Sequence, residues 1–105
     1  MSRLEQLLNF LRESPNDAFL TFAIAKEYEG LGDCEKALDF YSKLSSENES
    51  YVGTYYHLGK LHEKMGHPET ALAVYKKGME IAQKLGDRHA FSELAAAKME
   101  ISDEE

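Results

Sequence analysis

Residues 26–43 read KEYEGLGDCEKALDFYSK, and residues 60–77 read KLHEKMGHPETALAVYKK. Laid over each other at a spacing of 34, they share eight identities: Lys26/Lys60, Glu29/Glu63, Gly32/Gly66, Glu35/Glu69, Ala37/Ala71, Leu38/Leu72, Tyr41/Tyr75 and Lys43/Lys77. Ile24/Leu58, Ala25/Gly59 and Leu31/Met65 match in size and polarity. A fixed period in this range signals stacked supersecondary units, none of which can bury its apolar face alone. Stacked units usually present a surface that holds another chain, so the repeat favours binding over catalysis.

Outward from these stretches the apolar residues recur at helical spacing, and no segment alternates as a strand would. A first helix is expected from about Ser2 to Glu13, with Leu4, Leu7, Leu8 and Leu11 on one face. Ser14-Pro15-Asn16-Asp17 breaks it, because proline disfavours helix in the residue before it. Asp17 suits the N-cap of a second helix running to about Glu29. Gly32-Asp33, Gly66-His67-Pro68 and Gly86-Asp87 each put a glycine where a helix leaves through a left-handed residue. Asp33 and Asp87 can each cap the next helix, and Pro68 suits a first helical position. The remaining helices are then expected at 33–46, 50–65, 68–85 and 87–101, six in all, with an acidic end at 102–105.

Residues 18–51 and 52–85 resemble two tetratricopeptide repeats (TPRs), each a helix–turn–helix unit. The first-helix signature falls on Thr21, Ile24-Ala25 and Tyr28, then on Tyr55, Leu58-Gly59 and His62. The second-helix pattern of small, aromatic and small residues falls on Ala37, Tyr41 and Leu44, then on Ala71, Tyr75 and Gly78. Thr21 and Leu44 are atypical, and Glu49 and Gln83 stand where the family places its closing proline. Pro15 sits in phase to end a preceding repeat, so residues 2–16 resemble a half-repeat and 87–101 a capping helix. The resemblance implies an all-α class: a right-handed α-solenoid of antiparallel helix pairs, about six helices, in a single TPR domain over 1–105.

In that family the first helices line a concave groove. Carried over by position, the groove residues are Phe19, Phe22, Lys26 and Glu29, then Gly53, Tyr56, Lys60 and Glu63. Spacings of three and four put each set on one helix face. Neighbouring helix axes about 8–10 Å apart would let Lys26 and Lys60 straddle a carboxylate. Phe22 and Tyr56 would be the apolar anchors. The competing reading is plain pairing of each lysine with Glu29 or Glu63 at i,i+3. Some family members clamp the C-terminal carboxylate of chaperone tails with lysines, asparagines and an arginine. Phe22, Lys26 and His57 at the matching positions do not preserve that set.

Charge and composition narrow the partners. Acids outnumber bases 19 to 12, and no Lys/Arg cluster offers the basic face that phosphate contacts need. Nucleic acid and anionic membrane surfaces are therefore not expected, and no apolar run is long enough to span a bilayer. The single Cys34 cannot form an internal disulfide, and the N-terminus lacks a signal-peptide pattern, so a cytoplasmic location is expected. His57 and His62 are five apart and turn to different faces, so no metal site is expected, and no cofactor. No phosphate loop, nucleophile elbow or carboxylate pair supports an enzyme. The expected work is that of a non-catalytic adaptor for a peptide or protein segment, a carboxylate-bearing one included. The alternative is self-association into a homo-oligomer through the terminal helices, favoured if Leu7, Leu11 or Phe91 lies exposed.

Overall fold

The capping chemistry of the sequence sets most of the helix ends. The computed structural model describes residues 1–102, and Asp103–Glu105 of the expected acidic end lie outside the described residues. Six helices and no strand occur among the described residues: α1 (Arg3–Glu13), α2 (Ala18–Gly30), α3 (Cys34–Glu47), α4 (Gly53–Lys64), α5 (Pro68–Leu85) and α6 (Arg88–Ile101). Asp17, Asp33 and Asp87 accept from the backbone N–H groups of Leu20, Lys36 and Ala90 at 3.0, 3.1 and 3.0 Å. Ser2 and Glu5 close a reciprocal capping box at the start of α1. Gly32, Gly66 and Gly86 all take positive φ, from 71° to 84°, at the three expected turns.

Helix α4 departs from expectation by starting at Gly53 rather than near Ser50. No side chain caps it. Its entry is held instead by i→i+3 bonds from Thr54 N–H to Tyr51 O (3.2 Å) and Tyr55 N–H to Val52 O (3.3 Å). The Tyr55 hydroxyl also donates to the Glu49 carbonyl at 2.7 Å, tying the preceding loop back to the helix.

The chain forms two compact units, Met1–Asn48 and the residues from Glu49 onward. In the first, α2 packs against both α1 and α3. A helix covered on two sides must be apolar over most of its circumference, and α2 is. It buries Thr21, Ile24 and Ala25, while α1 contributes Leu7 and α3 contributes Ala37, Tyr41 and Leu44. The two atypical repeat positions are thus core positions. Thr21 satisfies its hydroxyl by donating to the Asp17 carbonyl at 3.0 Å, and Leu44 needs no partner.

In the second unit α5 packs against α4 and α6, and α6 also reaches α4. The core gathers Tyr55, Ala71, Tyr75, Ile81, Leu94 and Ala97. Two glycines let the backbones close in. A methyl group on Gly59 would clash with the Cε1 edge of the Tyr75 ring, and one on Gly78 would sit 2.5 Å from the Tyr55 Cβ and 2.9 Å from Leu94 Cδ1. The small residues of the repeat pattern are therefore seats for aromatic side chains from the partner helix.

Candidate functional site

The first helix of each helix pair carries the same short constellation. On α2, Lys26 holds its Nζ 5.9 Å from the centroid of the Phe22 ring. On α4, Lys60 holds its Nζ 5.7 Å from the Tyr56 ring. A spacing of four residues brings each lysine back over the aromatic one turn earlier. Each ring is half-buried and supported from below. Phe22 meets Tyr41 of α3 edge-on at 6.0 Å, and Tyr56 packs against the core of its own unit. An ammonium over an aromatic face gains about 0.5–1 kcal/mol at an exposed site.

The other expected residues divide into two kinds. Phe19 lies exposed at 64%, and Gly53 is open, with no atom near its Cα that a methyl group would meet. Glu29 and Glu63 are engaged with the core instead. The buried Tyr41 donates its hydroxyl to Glu29 at 2.9 Å, and Tyr75 donates to Glu63. Burial first, then the hydrogen bond and charge of the neighbouring carboxylate, raise both phenols well above the ordinary tyrosine value. Both tyrosines stay protonated donors across the physiological range. These acids act first as acceptors for a repeat tyrosine.

Lys60 is the more heavily paired lysine. Its Nζ lies 3.7 Å from Glu63 and 3.5 Å from Glu100 of α6. Burial lowers its pKa, but the charges of Glu63 and Glu100 outweigh that and leave it raised. The i,i+3 pairing with Glu63 was an expected alternative; the Glu100 contact was not, because it depends on where α6 lies against α4. The Tyr–Glu bonds, in contrast, had a readable signal, since both residues recur together at the repeat period.

The histidines also differ from expectation in one respect. His57 lies edge-on to Tyr56, but His62 meets His67 across the α4–α5 turn, with Nδ1 atoms 3.5 Å apart. No group of three or more His, Cys, Asp or Glu side chains able to hold a metal occurs among the described residues. On the terminal helices Leu7 is spent in the core and Leu11 and Phe91 are half-buried, whereas Phe10 and Met99 stand exposed.

Comparison with known proteins agrees with this architecture. The family model described as tetratricopeptide repeat matches residues 52–85. A crystal structure of a tetratricopeptide repeat domain protein from Salinibacter ruber is 36% identical, covering 81% of this chain and 94% of that one, with a TM-score of 0.78. The chain belongs to the tetratricopeptide repeat family. A TPR repeat-containing protein of Pseudomonas aeruginosa is 26% identical over 91 residues, covering 87% of each chain. A protein of Bordetella parapertussis, 22% identical, shares the fold at a TM-score of 0.82 over 96% of this chain and 88% of that one. The TPR fold is an all-α helical repeat whose general work is protein–protein interaction or scaffolding, and it is generally non-catalytic. No helix of the described residues is long and apolar enough to cross a membrane.

Proposed function

We propose that this TPR protein is a cytoplasmic adaptor whose first-helix faces hold an extended or helical segment of a partner protein. Its repeats are assigned to 18–51 and 52–85, with 2–16 and 87–101 as flanking elements. Phe22 and Tyr56 are the apolar anchors, Lys26 and Lys60 the contacts to carboxylates of the partner, and Phe19 and Gly53 the open ground beside them. The observation that carries this reading is the recurrence of the lysine-over-aromatic arrangement at 5.9 and 5.7 Å on equivalent helices. A solvated charge ladder has no need of an aromatic under each cation. Half-buried rings with an outward-facing charge are the composition of interface anchors.

Affinity capture from a native bacterial lysate, comparing wild type with Lys26→Glu/Lys60→Glu, tests it. The expected result is a partner retained by wild type, released by added salt, and lost by a double variant whose circular dichroism is unchanged. Equal retention by both proteins would remove the lysine sites. A second reading, self-association, draws on Phe10 and Met99, exposed at 55% and 69% on the two terminal helices. It requires a solution mass that rises with protein concentration.

A further inference from the structure

His62 closes the last turn of α4, and His67 stands directly before Pro68, which opens α5. Between them Gly66 takes φ 82°, and the His67 backbone N–H donates to the His62 carbonyl at 2.7 Å. That bond ties the backbones of the two residues together across a tight turn, which brings the two side chains within reach of each other. The ring centroids are 5.7 Å apart and the Nδ1 atoms only 3.5 Å, so each ring turns its Nδ1 corner toward the other.

We propose that His62 and His67 form a two-nitrogen chelate for a late first-row divalent cation, of the class of Ni2+, Cu2+ and Zn2+. Imidazole nitrogens bind such ions at about 2.0–2.1 Å, so two of them in a tetrahedral shell lie about 3.4 Å apart. The observed 3.5 Å is close to that separation, and turning both rings so that each lone pair leaves the N···N line by about 35° lets the two meet on one ion. Imidazole is a preferred ligand type for these metals, and hard cations such as Mg2+ and Ca2+ are not expected to compete. In the metal-free chain one ring can donate its Nδ1–H to the other. Binding moves that proton to Nε2, so the pair serves as a ligand in its neutral form. His67 is exposed, so solvent reaches the site and completes the coordination shell.

The test is calorimetric titration of NiCl2 and of ZnCl2 into the tag-free full chain at about pH 7.5, where unperturbed imidazoles are mainly neutral. His62→Asn and His67→Asn are compared with His89→Asn, whose side chain is 91% exposed on α6. One ion should bind per chain, and bound metal should raise the melting temperature. Each of the first two variants should weaken binding by at least about tenfold, while His89→Asn leaves it unchanged. His67→Asn alters an exposed side chain and keeps the test valid if His62→Asn fails to fold. Absence of saturable binding below about 1 mM metal would overturn the proposal. So would equal binding by wild type and His67→Asn, or loss of binding in His89→Asn.

Discussion

The hydroxyl of Tyr41 donates to the carboxylate of Glu29 over 2.9 Å, linking the end of α2 to the middle of α3. Tyr75 and Glu63 repeat the link between α5 and α4. A buried phenol needs an acceptor, and a carboxylate on the partner helix supplies one while fixing the pair's axial register. The helix pair is therefore locked at one end by a seated aromatic and a charge-assisted hydrogen bond.

Removing either hydroxyl should be costly without opening a large cavity. Tyr41→Phe and Tyr75→Phe are each expected to lose about 1–3 kcal/mol of unfolding free energy in urea titrations. The pH dependence is fixed by the sign of the phenol shifts. Both phenols are raised in the folded chain, so it keeps these protons to higher pH than the unfolded chain does. Their contribution is fully present below about pH 10 and is lost progressively above it. The alkaline fall in stability should be shallower in the two Phe variants than in wild type. Parallel curves would mean that other groups govern it.

The glycines should divide sharply by what surrounds them. Gly59→Ala puts a methyl group against the Cε1 edge of the Tyr75 ring and should cost at least about 1–3 kcal/mol, as overpacked core sites do. Gly30→Ala, at the end of α2, meets no atom within 4 Å and has an ordinary φ. It should instead stabilise by about 0.4–1 kcal/mol, by restricting the unfolded chain. Thermal melts of the two variants, moving in opposite directions from wild type, check both claims at once.

Thr54 offers a stabilising change in the core. Its side chain is fully buried, and its Oγ1 finds no hydrogen-bond partner among the described residues. An unmatched buried hydroxyl costs about 1–3 kcal/mol, so Thr54→Val, which keeps the shape and removes the polar atom, should gain part of that. A midpoint in urea shifted upward at unchanged slope is the expected result. A downward shift would show that the hydroxyl does have a partner in solution.

These sites also mark how far the sequence could be read. Asp17, Asp33, Asp87 and the turn glycines act locally, through the next three residues of the chain, so their roles were legible from spacing alone. Tyr41 and Tyr75 were readable as core because they recur at the repeat period and fall on the buried face. The partners of Glu29 and Glu63 needed one further step, since a carboxylate at a groove position also reaches the facing helix. Glu100 and His67 were not legible in this way. Glu100 meets Lys60 only because α5 runs 18 residues and delivers α6 back against α4. His67 meets His62 through a ring orientation that spacing does not set.

The Glu100 contact leads to the most discriminating prediction about the proposed binding face. Lys60 is already neutralised within its own unit, by Glu63 at 3.7 Å and Glu100 at 3.5 Å, whereas Lys26 is exposed above Phe22. A partner carboxylate that reaches Lys60 must displace or share these acids. Glu100 sits largely in solvent, so its pairing is worth only about 0.2–1 kcal/mol. Releasing it should raise partner affinity by up to about fivefold. Interferometry with the captured partner should therefore rank Glu100→Ala above wild type, and wild type above Lys60→Ala. The gain should vanish when Glu100→Ala is combined with Lys60→Ala, since it acts only through that lysine. A gain that persists in the combined variant would place the effect on general surface charge and remove Lys60 from the binding face.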